Sequence, residues 1–491
     1  MKPRRHRRRW YTAAGGTIAG VAGLAALTAA THVASSADQI PRPDPNPVSG
    51  HAGHGGKDAT ADDSSRARGS DERVGADRSD VRSDSKGNAQ GRDEEGSGVP
   101  CDPAKLVQAI LRANAQGGGT LDLAAHCTYS LLQHQGTNGL PIITQPITIN
   151  GHYATIERNA AADPFRIFNV DVGGNLTLRD VTVRGGFQDL LLSPGGAGML
   201  VRAGGQATVE HSRFLDNRSL SDGGAIANYG VTRILDGSGH EDSAGSSTST
   251  TSTTSTELSE NSARNDGGGI YNGGLLAAQG VRLRYNNAVG DDGGGLANVD
   301  GVALLERTSV DHNRAESVGA GVFSDGNGVT SLTNARVADN TSNVNGGGLY
   351  NGRSAVYVQH TDVSHNTAET FGGGFLNSLG QLVVDGSRVN ANVAGIAGGG
   401  LYNGSGQAVL RNSEIDLNRA ISTMGKGAGI TNSSGSVRLT HARVAENLST
   451  LAPGGILTGN DKVAVDNESS ITRNVPTNCA PNTFNIPNCF D

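Results

Sequence analysis

Along most of the chain, short apolar stretches alternate with polar residues at a two-residue period and return at a fixed distance. Glycine clusters followed by an apolar residue recur as GGAIAN from Gly223, GGGIYN from Gly267, GGGLAN from Gly293, GGGLYN from Gly346, GGGFLN from Gly372 and GGGLYN from Gly398. Eight residues before the third position of nearly every cluster stands an asparagine: Asn217, Asn261, Asn287, Asn313, Asn340, Asn366, Asn392, Asn418 and Asn447, with Asn474 continuing the series. The first step is 44 residues and the others 26 to 29. The long step contains a Ser/Thr tract at 246–256 and reads as one 26-residue turn carrying an 18-residue insertion.

A period near 26 with strand-like alternation and no amphipathic helix in each unit predicts a parallel β-helix, in which every repeat is one coil stacked about 4.8 Å from the next. Three residues before the asparagines runs an apolar column, Phe214, Leu258, Val310, Val337, Val363, Val389, Ile415, Val444 and Ile471. Two residues earlier the column turns small, at Ser212, Thr256, Thr308, Ala335, Thr361, Ser387, Ser413, Ala442 and Ser469. Strand periodicity turns both columns inward. Arg282 and Arg284 break them, and a local register shift puts Val281 and Leu283 inside instead. The asparagines are expected to sit at a coil corner in left-handed torsions and to bond from one rung to the next, with a second ladder at Asn228, Asn272, Asn298, Asn351, Asn377, Asn403 and Asn432. Looser strand patterns before residue 210 bring the total to about 12 coils, a rod of roughly 60 Å.

The ends differ from the repeats. Asp102 and Pro103 form a helix start, and Leu106, Ile110 and Ala113 share one face of a short helix suited to capping the open end. The four cysteines cluster as Cys101 with Cys127 and Cys479 with Cys489; a long solenoid holds its ends apart, so these are the expected disulfides. Residues 1–37 read as a signal peptide: Lys2 and five arginines precede Trp10, and an Ala/Gly-rich run leads to Ser35-Ser36-Ala37. A retained anchor and a twin-arginine route remain alternatives. Residues 38–100 carry 13 acids, 9 bases and no aromatic residue, which predicts a disordered polar linker.

Composition narrows function by exclusion. Glycine is abundant, 72 residues, yet no triplet period accompanies it, so collagen is excluded. The formal charge of −7 becomes −13 once the six basic residues of the leader are removed, a poor match to nucleic acid or an anionic membrane surface. No later segment resembles a membrane span.

Phe214-Leu215-Asp216-Asn217 and Gly223-Gly224-Ala225-Ile226 match the paired signatures Phe-x-x-Asn and Gly-Gly-Ala-Ile. In these motifs the chain resembles the chlamydial polymorphic outer-membrane proteins and, more broadly, right-handed parallel β-helix proteins of the pectate-lyase-like superfamily. In overall arrangement it is similar to exported actinobacterial β-helix proteins, most of unassigned activity. The resemblance spans about residues 101–491, implies an all-β, single-stranded, right-handed parallel β-helix, and supplies the handedness together with the general crossover rule. It carries no residue-by-residue catalytic pattern across.

Two constellations are candidates for chemistry. The column before the asparagine ladder reads Asp216, Glu260, Asn286, His312, Asp339, His365, and Asp339 is expected one rung from both histidines, where it could orient either for proton transfer. The column five residues after the ladder begins Asp222, Asp266, Asp292, where stacked like charges either splay into solvent or bind a cation, calcium being the natural choice. For both columns a plain solvated corner is the stronger reading. Tyr271, Tyr350 and Tyr402 share a strand position but are interrupted by other residues, which favours ordinary turn packing over a sugar-stacking row. The leading expectation is an exported surface or extracellular binding protein whose partner is a polysaccharide or a cell-envelope component. The alternative is a polysaccharide lyase or glycoside hydrolase acting on an extended glycan, acidic glycans included, and on either reading a glycan site is expected on coils 216–366. Sequence leaves the choice between binder and enzyme, and the oligomeric state, open.

Overall fold

The computed structural model describes residues 98–191, 194–236 and 255–491. The expected signal segment and nearly all of the expected linker lie outside the described residues. Strand pairing begins just before the first cysteine, where Gly98 and Val99 pair with Asp122 and Leu123.

One coil shows how the repeat becomes structure. It runs through Leu349–Asn351, Ala355–Gln359, Asp362–Ser364 and Thr367–Ala368. Each strand pairs in parallel with its counterpart 26 residues on: Leu349 with Phe375, Val356 with Leu382, Val363 with Val389 and Thr367 with Val393. Repetition gives a right-handed parallel β-solenoid of about 13 turns with one N-terminal helix, one turn more than the sequence period suggests. Among the described residues the strands form sheets of 25, 11 and 10 strands. The largest is bent, because two consecutive strands of each coil belong to it.

Inward positions take branched aliphatic side chains, which pack well on a pleated surface. Val356, Val358, Val363 and Phe375 are at most 1% exposed. The small column lies at the bend. Ser387 Oγ donates to the Asp385 carbonyl at 2.8 Å and accepts from the Thr361 amide at 3.1 Å, and the Ser387 amide donates to Ser413 Oγ at 3.2 Å. These hydroxyls satisfy backbone groups that the bend takes out of the sheet ladder.

The main asparagine ladder has the expected chemistry with two corrections. Asn366 Nδ2 donates to Asn392 Oδ1 and to the Val337 carbonyl, while its Oδ1 accepts from both the amide and the Nδ2 of Asn340, all between 2.8 and 3.1 Å. The left-handed residue, however, is the one before the asparagine: Asp216, Glu260, Tyr285, His312, Asp339, His365, Ala391, Leu417, Glu446 and Arg473 all have φ between 52° and 59°. The asparagines lock the corner from inside while their predecessors bear its torsional cost. The second correction is one of register. Asn286, not Asn287, bonds to Asn261 and Asn313. Leu283 then pairs with Leu258 and Val310, and Val281 and Leu283 are fully buried, as the register shift requires.

The long first step is an insertion within one coil, since Asn217 bonds directly to Asn261 and Phe214 pairs with Leu258. The inserted residues 237–254 lie outside the described set. At the N-terminal end Asp102 accepts from the Ala104 amide at 2.8 Å and caps the helix Pro103–Ala115, whose Leu106, Ile110 and Ala113 are buried on the first coils. Both expected disulfides, Cys101–Cys127 and Cys479–Cys489, are formed.

Candidate functional site

Three regions of the coil carry chemistry, and the first two meet at His365. The first is the left-handed corner that holds His312, Asp339 and His365. Asp, Asn and His are enriched in left-handed torsions, so the residue types that suggest proton transfer also follow from backbone conformation. The three side chains turn to different partners. His312 Nδ1 lies 2.9 Å from Asp311, and its ring lies 5.0 Å from that of Tyr285. Asp339 accepts from Arg336 at 3.0 Å, within its own coil. His365 opens onto a groove in the bent sheet.

That groove is the second surface. It lies where the two strands of each coil meet at the bend and is lined by His360, His365, Arg388, Asn390, Asn412 and Glu414 from successive coils. Beside it runs a column the sequence reading missed. The register places Arg213, Glu257, Arg282, Ser309, Arg336, Asp362, Arg388, Glu414 and Arg443 on consecutive rungs, so an arginine recurs on every second coil. The signal was available one position before the apolar column, at each residue that immediately precedes an inward one. Arg388 donates to Asp416 at 3.0 Å and lies 3.7 Å from Glu414. The hydrogen bond to Asp416, reinforced by the charges of Asp416, Glu414 and Asp362, raises its pKa. It therefore stays cationic and can bind or orient a ligand but cannot take a proton.

The third surface is the corner between the two-residue strands and the glycine clusters. Asp222, Asp266 and Asp292 do stack there. An oxygen of each accepts a backbone N–H from the next coil: Asp266 to Asp222 at 3.4 Å, Asp292 to Asp266 at 3.2 Å and Val318 to Asp292 at 2.9 Å. Sequence columns select one residue per coil and so passed over Asp291. The carboxylates whose oxygens come within 4.8 Å of one another are Asp266, Asp291 and Asp292, with Asp222 outside this group. Burial, followed by the charges of Asp292, Asp291 and Asp222, pushes Asp266 well above the ordinary carboxylate range. Burial and then Asp291 push Asp292 up to about 7. Tyr229 and Tyr271 lie alongside, ring centroids 5.5 Å apart, and burial with the nearby carboxylates raises both phenols. Uncompensated negative charge at this corner must be met by a proton or a cation. Three hard oxygen ligands are of the kind calcium takes. Further along the rod Phe323, Tyr350 and Leu376 are nearly buried in a satellite cluster, consistent with turn packing.

Among the described residues no helix is long and apolar enough to cross a membrane. No family model matches the chain, and no curated protein matches it. Among solved structures, the crystal structure of tailspike protein 3 of bacteriophage CBA120 is similar at 12% sequence identity and a TM-score of 0.39. The match covers 80% of this chain and 60% of that one, so the chain spans less than two thirds of the tailspike's length.

Proposed function

We propose that the protein is an exported β-helix that binds an extended polysaccharide of the cell envelope or its surroundings along the bent sheet. The observation that carries this reading is the alternating arginine and acid column beside the polar groove. Arginines on every second rung are about 9.6 Å apart, close to the advance of one disaccharide in an extended 1,4-linked glycan. Half-exposed Arg336 and Arg388 offer remaining N–H donors, and the intervening carboxylates accept hydroxyl hydrogens. Because the arginines are already paired with acids, the face suits a neutral glycan better than a polyuronate. The test is calorimetric titration of the protein with neutral and uronate oligosaccharides, before and after R336Q/R388Q. Binding of a neutral oligosaccharide that the double variant weakens at least tenfold supports the reading; the same affinity in both proteins rejects it.

A second reading is favoured by one specific observation, the carboxylates of Asp266, Asp291 and Asp292 held within 4.8 Å of one another at a corner where Asp292 is buried. Adjacent carboxyls, one of which burial holds protonated, are the kind of pair that general acid–base hydrolysis of a glycosidic bond uses. On this reading the protein is a glycoside hydrolase working at the acidic corner, and calcium, if bound by Asp266, Asp291 and Asp292, would hold sugar oxygens there. Release of reducing ends by the wild type, abolished in D292N, distinguishes it from the first.

A further inference from the structure

A second cluster with metal-ligand chemistry lies at the far end of the rod, on the same bend as the groove, its His441 two residues before Arg443, the last arginine of the column. His441 sits at the bend with φ 51°, after the strand Ser436–Thr440, and Asp466 follows the strand Val463–Val465 one rung further on. Glu468 is in the short loop after Asp466. The loop is fixed: Asp466 accepts from the His441 amide at 3.1 Å and the Ser469 amide at 2.8 Å, and Asn488 of the C-terminal cap donates to Asn467 at 3.0 Å.

The imidazole lies between two carboxylates. Nε2 contacts Glu468, and Nδ1 is 3.8 Å from Asp466 Oδ2, beyond hydrogen-bond length. One ligand atom from each of the three residues lies within 4.8 Å of the others. The edge of a tetrahedron of zinc–ligand bonds is about 3.3 Å. Turning the exposed Glu468 carboxylate, which lengthens its contact with the imidazole, is the adjustment by which ligand atoms of the three residues reach the spacing one ion requires.

The same corner supplies an internal comparison. His211 and Asp180 repeat the histidine–aspartate pair at 4.0 Å, yet no third ligand joins them in a metal-binding group among the described residues. The pairing alone thus belongs to the bend, and Glu468 is what distinguishes the last coil.

We propose that His441, Asp466 and Glu468 form a surface site for a divalent transition metal ion, zinc by ligand type, which ties the last two rungs of the bend together. One nitrogen and two carboxylate oxygens suit zinc, and water completes the fourth position.

The experiment is calorimetric titration of chelator-treated protein with zinc chloride at pH 7, paired with thermal melts. The expected result is one ion bound per chain with a rise in melting temperature. Both effects should be reduced at least tenfold in affinity by H441A and by E468Q, and retained in H211A and in D266N/D292N. Should H441A fold poorly by circular dichroism, E468Q decides alone, since its substituted side chain is exposed. Absence of stoichiometric binding, or binding unchanged in E468Q, overturns the proposal. Loss of the ion in D266N/D292N instead would assign it to the acidic corner and equally overturn it.

Discussion

Asp292 should make the stability of the fold depend on pH in a direction opposite to that of a salt-bridged aspartate. Its side chain is 3% exposed, and burial with the charge of Asp291 sets its pKa at about 7. In the unfolded chain an aspartate titrates near 3.9. Between these values the folded state holds a proton that the unfolded state has released, so unfolding free energy falls as pH rises from about 4 to about 7 and levels off above. About three pKa units at ~1.4 kcal/mol each amount to roughly 4 kcal/mol. D292N carries no charge at any of these pH values and keeps an oxygen for the Val318 amide. At pH 8 it should therefore be more stable than wild type by up to about 4 kcal/mol, with the difference closing near pH 4. Asp266 is raised in the same direction and leaves a residual slope in both proteins. Urea titrations at pH 4, 6 and 8 and constant ionic strength measure this. Parallel pH profiles for the two proteins, or a D292N protein less stable at pH 8, would refute the account of a charge-starved corner.

The remaining predictions concern the interior, the caps and the acidic corner. V363A removes a side chain 1% exposed and should cost roughly 1 to 3 kcal/mol, read from the shift in urea midpoint at unchanged slope. N366A strips partners from the Asn340 amide and Nδ2 and from the Val337 carbonyl, and should cost at least about 2 kcal/mol in the same assay. Replacing Cys101 and Cys127 by serine releases a loop of 26 residues, worth about 3.5 kcal/mol by loop entropy, and thermal melts should show the loss. If the acidic corner takes calcium, millimolar calcium should raise the wild-type melting temperature at pH 8 but not that of D266N/D292N, and calorimetry should return one ion per chain.

The fold was legible because its determinants are periodic. Val337, Val363 and Val389 recur every 26 residues, and so do Asn340, Asn366 and Asn392, which solve one corner in the same way on each coil. Legibility failed where two adjacent residues could both satisfy the pattern. Asn286 and Asn287 are identical in type; the inward turn of Leu283 was readable from the break at Arg282 and Arg284, but the same shift was not carried on to Asn286. That one-residue ambiguity touches only Arg282 of the charged column; the other members were readable one position before the apolar column, which was followed only for its inward residues. It also placed Asn286 in the outward corner column, where Tyr285 belongs and where its ring meets His312. The stacking of Asp222, Asp266 and Asp292 was readable from spacing, whereas the participation of Asp291 depends on how a corner loop folds back. Likewise, Arg336 lies three residues from Asp339 in sequence, yet their ion pair depends on the left-handed turn at Asp339.

Binding along the bent sheet is tested most directly by comparing two double variants against one glycan. Neutral 1,4-linked oligosaccharides of increasing length are titrated calorimetrically into wild type, R336Q/R388Q and D266N/D292N, with reducing ends assayed in parallel. The account predicts affinity that rises with length until several rungs are spanned, loss of that affinity in R336Q/R388Q, and retention in D266N/D292N without cleavage by any of the three. Affinity lost in D266N/D292N but kept in R336Q/R388Q would contradict it and move the function to the acidic corner.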